Sequence, residues 1–96
     1  MRVIIKPSTI KGKKLTAIFY DNDNKKVKTT HFGAAGMSDY TKNKDPERKK
    51  LYLARHKKNE DWQKYMSAGS LSRYILWGET TLRTSIQKYK QRFNLS

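Results

Sequence analysis

Positive charge is the feature that most narrows what this chain can fold into. Its 96 residues hold 22 Lys and Arg against 8 Asp and Glu, a formal net charge of +14. A compact fold must keep those charges apart at the surface, because self-repulsion opposes compaction. The core has to come from what remains. Apolar residues make up 35% of the chain and aromatic residues 11%, and each aromatic ring buries a large area. A chain this short buries only about two-thirds of its unfolded surface. The expectation is therefore one domain, residues 1–96, around a small aromatic core. Disorder is the rival at this charge and low mean hydropathy. Periodic apolar segments at both ends of the chain argue against it.

Such a surface calls for a polyanion, bound by phosphate neutralisation and counterion release. Basic and acidic residues number 8 and 2 in residues 1–32, 8 and 4 in 33–60, and 6 and 2 in 61–96, so no segment is a separable tail. Between His31 and Leu82, aromatics, four of the five glycines and many Lys and Arg are interleaved, as a folded polyanion-binding surface requires. There is no cysteine, which excludes disulfides and cysteine-based zinc sites. No segment approaches a membrane-spanning length. The opening MRVIIKPS has too short an apolar run for a signal peptide, and secretion is not expected.

The fold class expected is α+β: a three-stranded antiparallel sheet followed by two to three helices packed on one face. RVIIK, ended by Pro7, is a first strand. LTAIFY is a second, rich in β-branched and aromatic residues. DNDNKK is a turn by composition, and KVKTTHF is a third strand ending at Gly33. Alternation puts Val3 and Ile5 on one face, with Leu15, Ala17 and Phe19 together on theirs. Lys26, Lys28 and Thr30 share a face of the third strand, and that face can be a wet, basic one. A sheet of this kind laid in a groove is one way to read a duplex. Residues 33–44 read as a connecting loop.

Asp45-Pro46-Glu47 starts a helix, with Asp as N-cap, Pro in the first turn and Glu against the dipole. The pattern runs it to Asn59. Arg48, Tyr52 and Arg55 fall at i, i+4 and i+7, an aromatic between two cations. Trp62, Tyr65 and Met66 cap the core. SLSRYILW forms a short second helix with Ser70 as N-cap and Gly78 at C′. A third follows, capped by Thr80 or Thr81, with Leu82, Ile86, Tyr89 and Phe93 as its apolar stripe. Arg83, Gln87, Lys88, Lys90 and Arg92 stand on or near its other side.

Catalytic and metal patterns are weak. Asp21 and Asp23 resemble the opening of a calcium loop, but Lys26 and Phe32 stand where its Gly and Glu belong. No Walker pattern is present. Two histidines are too few for a metal cluster without carboxylate help. Asp39, Asp45, Glu47, Glu60 and Asp61 are available for a magnesium-dependent nuclease, yet Asp45 and Glu47 are better explained by the helix start. The expectation is a binding protein and not an enzyme, with no metal and no cofactor.

Three runs, HFGAAGMSDYT, KDPERKKLYLARHKKNEDW and GSLSRYILWGETTLRTSIQKYKQRF, resemble a family of small basic proteins encoded by large double-stranded DNA viruses of algae and amoebae. The shared pattern corresponds here to His31, Phe32, Gly33, Gly36, Asp39, Tyr40, Arg48, Tyr52, Arg55, His56, Glu60, Trp62, Gly69, Leu71, Ser72, Arg73, Ile75, Leu76 and Trp77. It covers roughly the C-terminal two-thirds of the chain; residues 1–30 are less diagnostic. The resemblance implies a viral setting with a DNA genome nearby. The expected function is sequence-independent binding of double-stranded DNA through its phosphates, for genome compaction or packaging. The place expected is the virion or a viral factory in the host cytoplasm, with the host nucleus as a further setting. Arg48, Lys49, Arg55, His56 and Arg73 are the first candidates for backbone contact, followed by Lys26 and Lys28. Two alternatives stay open: an RNA-binding module, and a structural virion protein bridging core or capsid components through acidic partners.

Overall fold

The computed structural model describes residues 1–58 and 60–96. Three strands, β1 (Arg2–Pro7), β2 (Lys13–Tyr20) and β3 (Lys26–Ala34), form an antiparallel sheet in the order β1-β2-β3. Among the described residues four helices follow: α1 (Tyr40–Asn43), α2 (Pro46–His56), α3 (Ala68–Leu71) and α4 (Leu82–Arg92). α3 runs on into a π-helical turn, Ser72–Leu76, closed by a 3.0 Å bond from Trp77 N–H to Ser72 O. The architecture is α+β, with the helices on one face of the sheet. The sequence pattern runs the Asp45-Pro46 helix to Asn59, whereas α2 ends at His56 with Lys57 as its C-cap, and Lys57 and Lys58 form a turn; residue 59 itself lies outside the described residues.

Strand pairing places Val3 opposite Phe19 and Ile5 opposite Ala17. Leu15 stands opposite Phe32. Paired residues share a face of the sheet. Val3, Ala17, Phe19 and Phe32 are accordingly buried, against Leu71, Ile75, Leu76, Tyr89 and Leu95. Full burial of one such side chain is worth about 1.5–3 kcal/mol, so a short list of residues holds the fold. Gly33 has φ +81°, a conformation that favours glycine. A Cβ there would come within 2.6 Å of Leu76 Cδ1. Its absence lets the π-helical turn sit down on the sheet.

Beyond α1, which stands where residues 33–44 read as a connecting loop, the structure departs from the sequence expectations in these respects. First, β3 is bulged. Phe19 pairs with Lys28 but Tyr20 pairs with Lys26, leaving Val27 as the extra residue. Lys26 thus joins Arg2 and Tyr20 on the open face, while Lys28 lies on the face of Phe19 and Thr30. The two lysines are exposed on opposite sides and form no common basic face. Second, Ser67 caps α3, accepting from Ser70 N–H at 3.2 Å. Ser70 itself is buried and donates through Oγ to Trp62 O at 2.9 Å. Third, Gly78 is not in the left-handed region; Trp77 is the C-cap of the π-helical turn. Fourth, Leu82 is exposed, and the inner stripe of α4 starts at buried Ser85. Ser85 N–H donates to the carbonyl of Thr81, the N-cap.

Candidate nucleic-acid interface

α2 sets the geometry. Asp45 caps it, its carboxylate accepting from Glu47 N–H at 3.0 Å. Tyr52 is the buried anchor, with Lys49, Leu53 and His56 half-buried beside it. The Tyr52 ring, 8% exposed, lies between His56, with centroids 4.3 Å apart, and Trp77, 4.5 Å away and nearly parallel. Burial, with Glu60 nearby, pushes its phenol up to about 12. Tyr52 is therefore packing and not an exposed aromatic between two cations. Arg48, Lys50, Arg55, Lys57 and Lys58 remain exposed.

Two basic concavities involve this helix. The first is a groove of about 740 Å³ lined by Arg48, Arg55 and Lys58, with Leu51, Met37 and Trp77 as its apolar surface. Residues 48, 51 and 55 fall on one helical stripe, and Lys58 follows in the turn just past the end of α2. Leu51 and Met37 are each 64% exposed.

The second concavity, about 590 Å³, gathers Lys49, Arg73, Lys88 and Arg92 around Tyr74, with Glu79 at its margin. Lys49 Nζ donates to Gly78 O at 2.6 Å and also sits 4.9 Å from the Tyr40 ring centroid. Burial lowers its pKa, and the neighbouring Arg73 adds to that. The Arg73 guanidinium is held over Trp62 at 5.2 Å and over Tyr74 at 4.9 Å. Its pKa is lowered, chiefly by burial and also by Arg92. Arg92 lies over the same Tyr74 ring at 4.7 Å. Such cation–π contacts fix a cation without neutralising it.

A third, smaller pocket of about 360 Å³ contains Asp39, Tyr52, His56 and Glu60. Asp39 caps α1 and accepts from Thr41 N–H at 3.0 Å, from the Thr41 hydroxyl, and from Lys14 Nζ at 2.5 Å. Burial alone would raise its pKa, but the Lys14 and Thr41 hydrogen bonds outweigh that and lower it. Glu60 lies 3.4 Å from His56 Nδ1 and accepts from Trp62 Nε1 at 3.0 Å through its other oxygen. A Cβ on Gly69 would collide with that carboxylate. Both Asp39 oxygens and one Glu60 oxygen thus carry a donor, and the other Glu60 oxygen faces His56 Nδ1. Both carboxylates tie loops to the helices.

The candidate residues divide accordingly. Arg48 and Arg55 share the first groove, and Lys49 and Arg73 share the second concavity. His56 lies instead in the small pocket, against Tyr52 and Glu60. Lys26 and Lys28 line none of the three. His31 is occupied by Thr16 Oγ1 at 2.7 Å and Ser8 Oγ at 3.0 Å. Lys58, Lys88 and Arg92 were absent from the candidates. Lys58 reaches the groove from the turn after α2, where helical spacing no longer applies. Lys88 and Arg92 were visible only as the outer side of an amphipathic helix, with nothing to say what they face.

No curated protein and no solved structure matches the chain. Residues 3–56 match a family of unknown function, DUF5754. The matched segment takes in all three strands and ends with α2, whereas the resemblance read from sequence runs from His31 to Trp77. Because the match spans more than half of the chain, the protein belongs to the DUF5754 family.

Proposed function

We propose that this protein binds double-stranded DNA through its phosphate backbone, with little sequence preference, and serves genome compaction or packaging for a large DNA virus. One observation carries the reading. Among the described residues, only Lys14 and Lys88 of the 22 Lys and Arg side chains have a carboxylate partner. The rest of the positive charge is left for an external polyanion. The choice of duplex DNA over single-stranded RNA follows from the rings. The exposed large hydrophobics are Ile4, Ile10, Val27, Met37, Leu51 and Leu82. None is aromatic, and single-strand RNA readers need exposed stacking rings. A virion or viral factory is the setting this reading implies.

The test is duplex affinity across a salt series with two unrelated sequences, with single-stranded RNA as competitor. Steep salt dependence, equal affinities and weak competition are expected. Strong preference for one sequence refutes the packaging role, and no binding near physiological salt refutes DNA binding. A bridging role toward acidic virion proteins draws support from Met37 and Leu51, apolar surface that phosphates do not use. It predicts capture of an acidic protein in moderate salt without a steep DNA salt slope. No helix among the described residues is long and apolar enough to cross a membrane.

A further inference from the structure

We infer that the concavity of Lys49, Arg73, Lys88 and Arg92 is a discrete binding site for a single phosphate group. The inference deepens the DNA reading and rests on it only for the source of that phosphate. Four cations from α2, the π-helical turn and α4 line one space of about 590 Å³. Its one carboxylate, Glu79, is 3.3 Å from Lys88 Nζ, so positive charge remains in excess. Both guanidinium groups rest on the Tyr74 ring, which places their carbons within about 10 Å of each other. Like charges this near one another repel, and an oxyanion bound within reach of both reverses the sign of that interaction.

Arg73 supplies the second, independent observation. Its Nε is buried and has no hydrogen-bond partner among the described residues. A buried donor without an acceptor is uncommon and calls for an explanation. The Nε and Nη hydrogens form the fork with which arginine grips a phosphate through two oxygens. A rotation of the guanidinium, which rests on rings rather than on a hydrogen-bonded partner, turns that edge to an oxyanion in the concavity and gives the missing acceptor. Lys49, anchored on Gly78 O, holds the margin of the site in place, so little ordering is left to be done on binding. Burial lowers the Lys49 and Arg73 pKa values, and Arg73 and Arg92 respectively add to that, as a cluster of like charges requires.

The experiment is a titration of the full chain with inorganic phosphate at constant ionic strength, followed by 15N NMR of backbone amides and arginine Nε–H groups. Saturable shifts centred on Arg73 Nε–H and the amides of Gly78 and Glu79 are expected. Arg92→Gln and Lys88→Gln should each weaken phosphate binding about tenfold, as loss of one charge-assisted contact implies. Lys11→Gln removes the same charge from an exposed turn and should leave it unchanged. Non-saturating shifts spread over all basic residues, or an equal loss in Lys11→Gln, overturn the site. The same variants in the duplex salt series identify the source. A slope lowered by about one in Arg92→Gln assigns the phosphate to the DNA backbone. An unchanged slope beside weakened phosphate binding assigns it to free phosphate. Saturable phosphate binding without DNA affinity refutes the proposed function and leaves the site standing. DNA affinity without saturable phosphate binding does the reverse.

Discussion

Replacing Arg48, Arg55 and Lys58 together with Gln tests whether the groove along α2 is where DNA lies. The three side chains are exposed and line one groove, so they are placed to meet successive phosphates. Each phosphate neutralised on duplex DNA contributes about −0.9 to the slope of log affinity against log salt. Three contacts make about −2.7. Between roughly 50 and 200 mM salt, that share of the slope is worth about a 40-fold loss of affinity. The wild-type protein should suffer this loss on top of whatever the triple variant suffers. Stability should hardly move, since exposed surface substitutions stay within about 0.5 kcal/mol. Fluorescence anisotropy of a labelled duplex at four salt concentrations, beside a thermal unfolding curve, measures both. A slope less than one unit shallower than wild type would refute the argument, because the groove could then engage at most one phosphate.

Three further expectations concern the scaffold. Tyr52→Ala removes a ring packed between His56 and Trp77 and should cost about 3–5 kcal/mol in chemical denaturation; a cost under 1 kcal/mol would make Tyr52 a surface residue. Tyr89→Phe deletes the hydroxyl that donates to Tyr65 O and should cost about 1–3 kcal/mol, since a buried acceptor loses its donor. Asp39 has a folded pKa below its ordinary value, so its contribution is present above about pH 4 and is lost as pH falls through the folded value. Stability of Asp39→Asn, followed by thermal unfolding from pH 7 to 2, should show a flatter acid limb than wild type, and identical limbs would contradict the lowered pKa.

Local chemistry made much of the fold legible. The strands, the Asp45-Pro46 helix start, the core face of β2 and the Tyr89 stripe follow from alternation, capping and helical period. What escaped depends on contacts between distant elements. The Val27 bulge has no sequence signal of its own, yet it decides which face Lys26 takes. Ser67 and Ser70 are equally good caps by type; the helix starts at Ala68, so Ser67 accepts from Ser70 N–H while the Ser70 hydroxyl donates to Trp62 O. Tyr52 looked like an aromatic presented between arginines until Trp77, 25 positions along the sequence, covered it. At the candidate interface, spacing recovered Arg48 and Arg55 because they lie on one helix. It could not join Lys49 and Arg73 to Lys88 and Arg92, which meet only when α4 docks beside the π-helical turn.

The interleaving of rings and cations gains a physical sense from these contacts. Arg2 lies over Tyr20, Lys49 over Tyr40, Arg73 over Trp62 and Tyr74, and Arg92 over Tyr74. A carboxylate partner would hold these cations and cancel their charge. A ring holds them and leaves the charge intact for a phosphate. The rings then act by reducing the side-chain freedom lost on binding, worth about 0.5–1.5 kcal/mol for each ordered side chain. Tyr74→Leu isolates this effect, since it releases Arg73 from one ring and Arg92 from its only one while keeping every charge. The salt slope should stay at the wild-type value. Affinity should fall by about 1–3 kcal/mol, roughly 5- to 150-fold at fixed salt. Tyr74 also meets Phe93 edge-on at 5.4 Å, so affinity is compared well below the variant's melting temperature. A changed slope would mean that the ring positions one particular phosphate contact, and an unchanged affinity would mean that the rings only fill space.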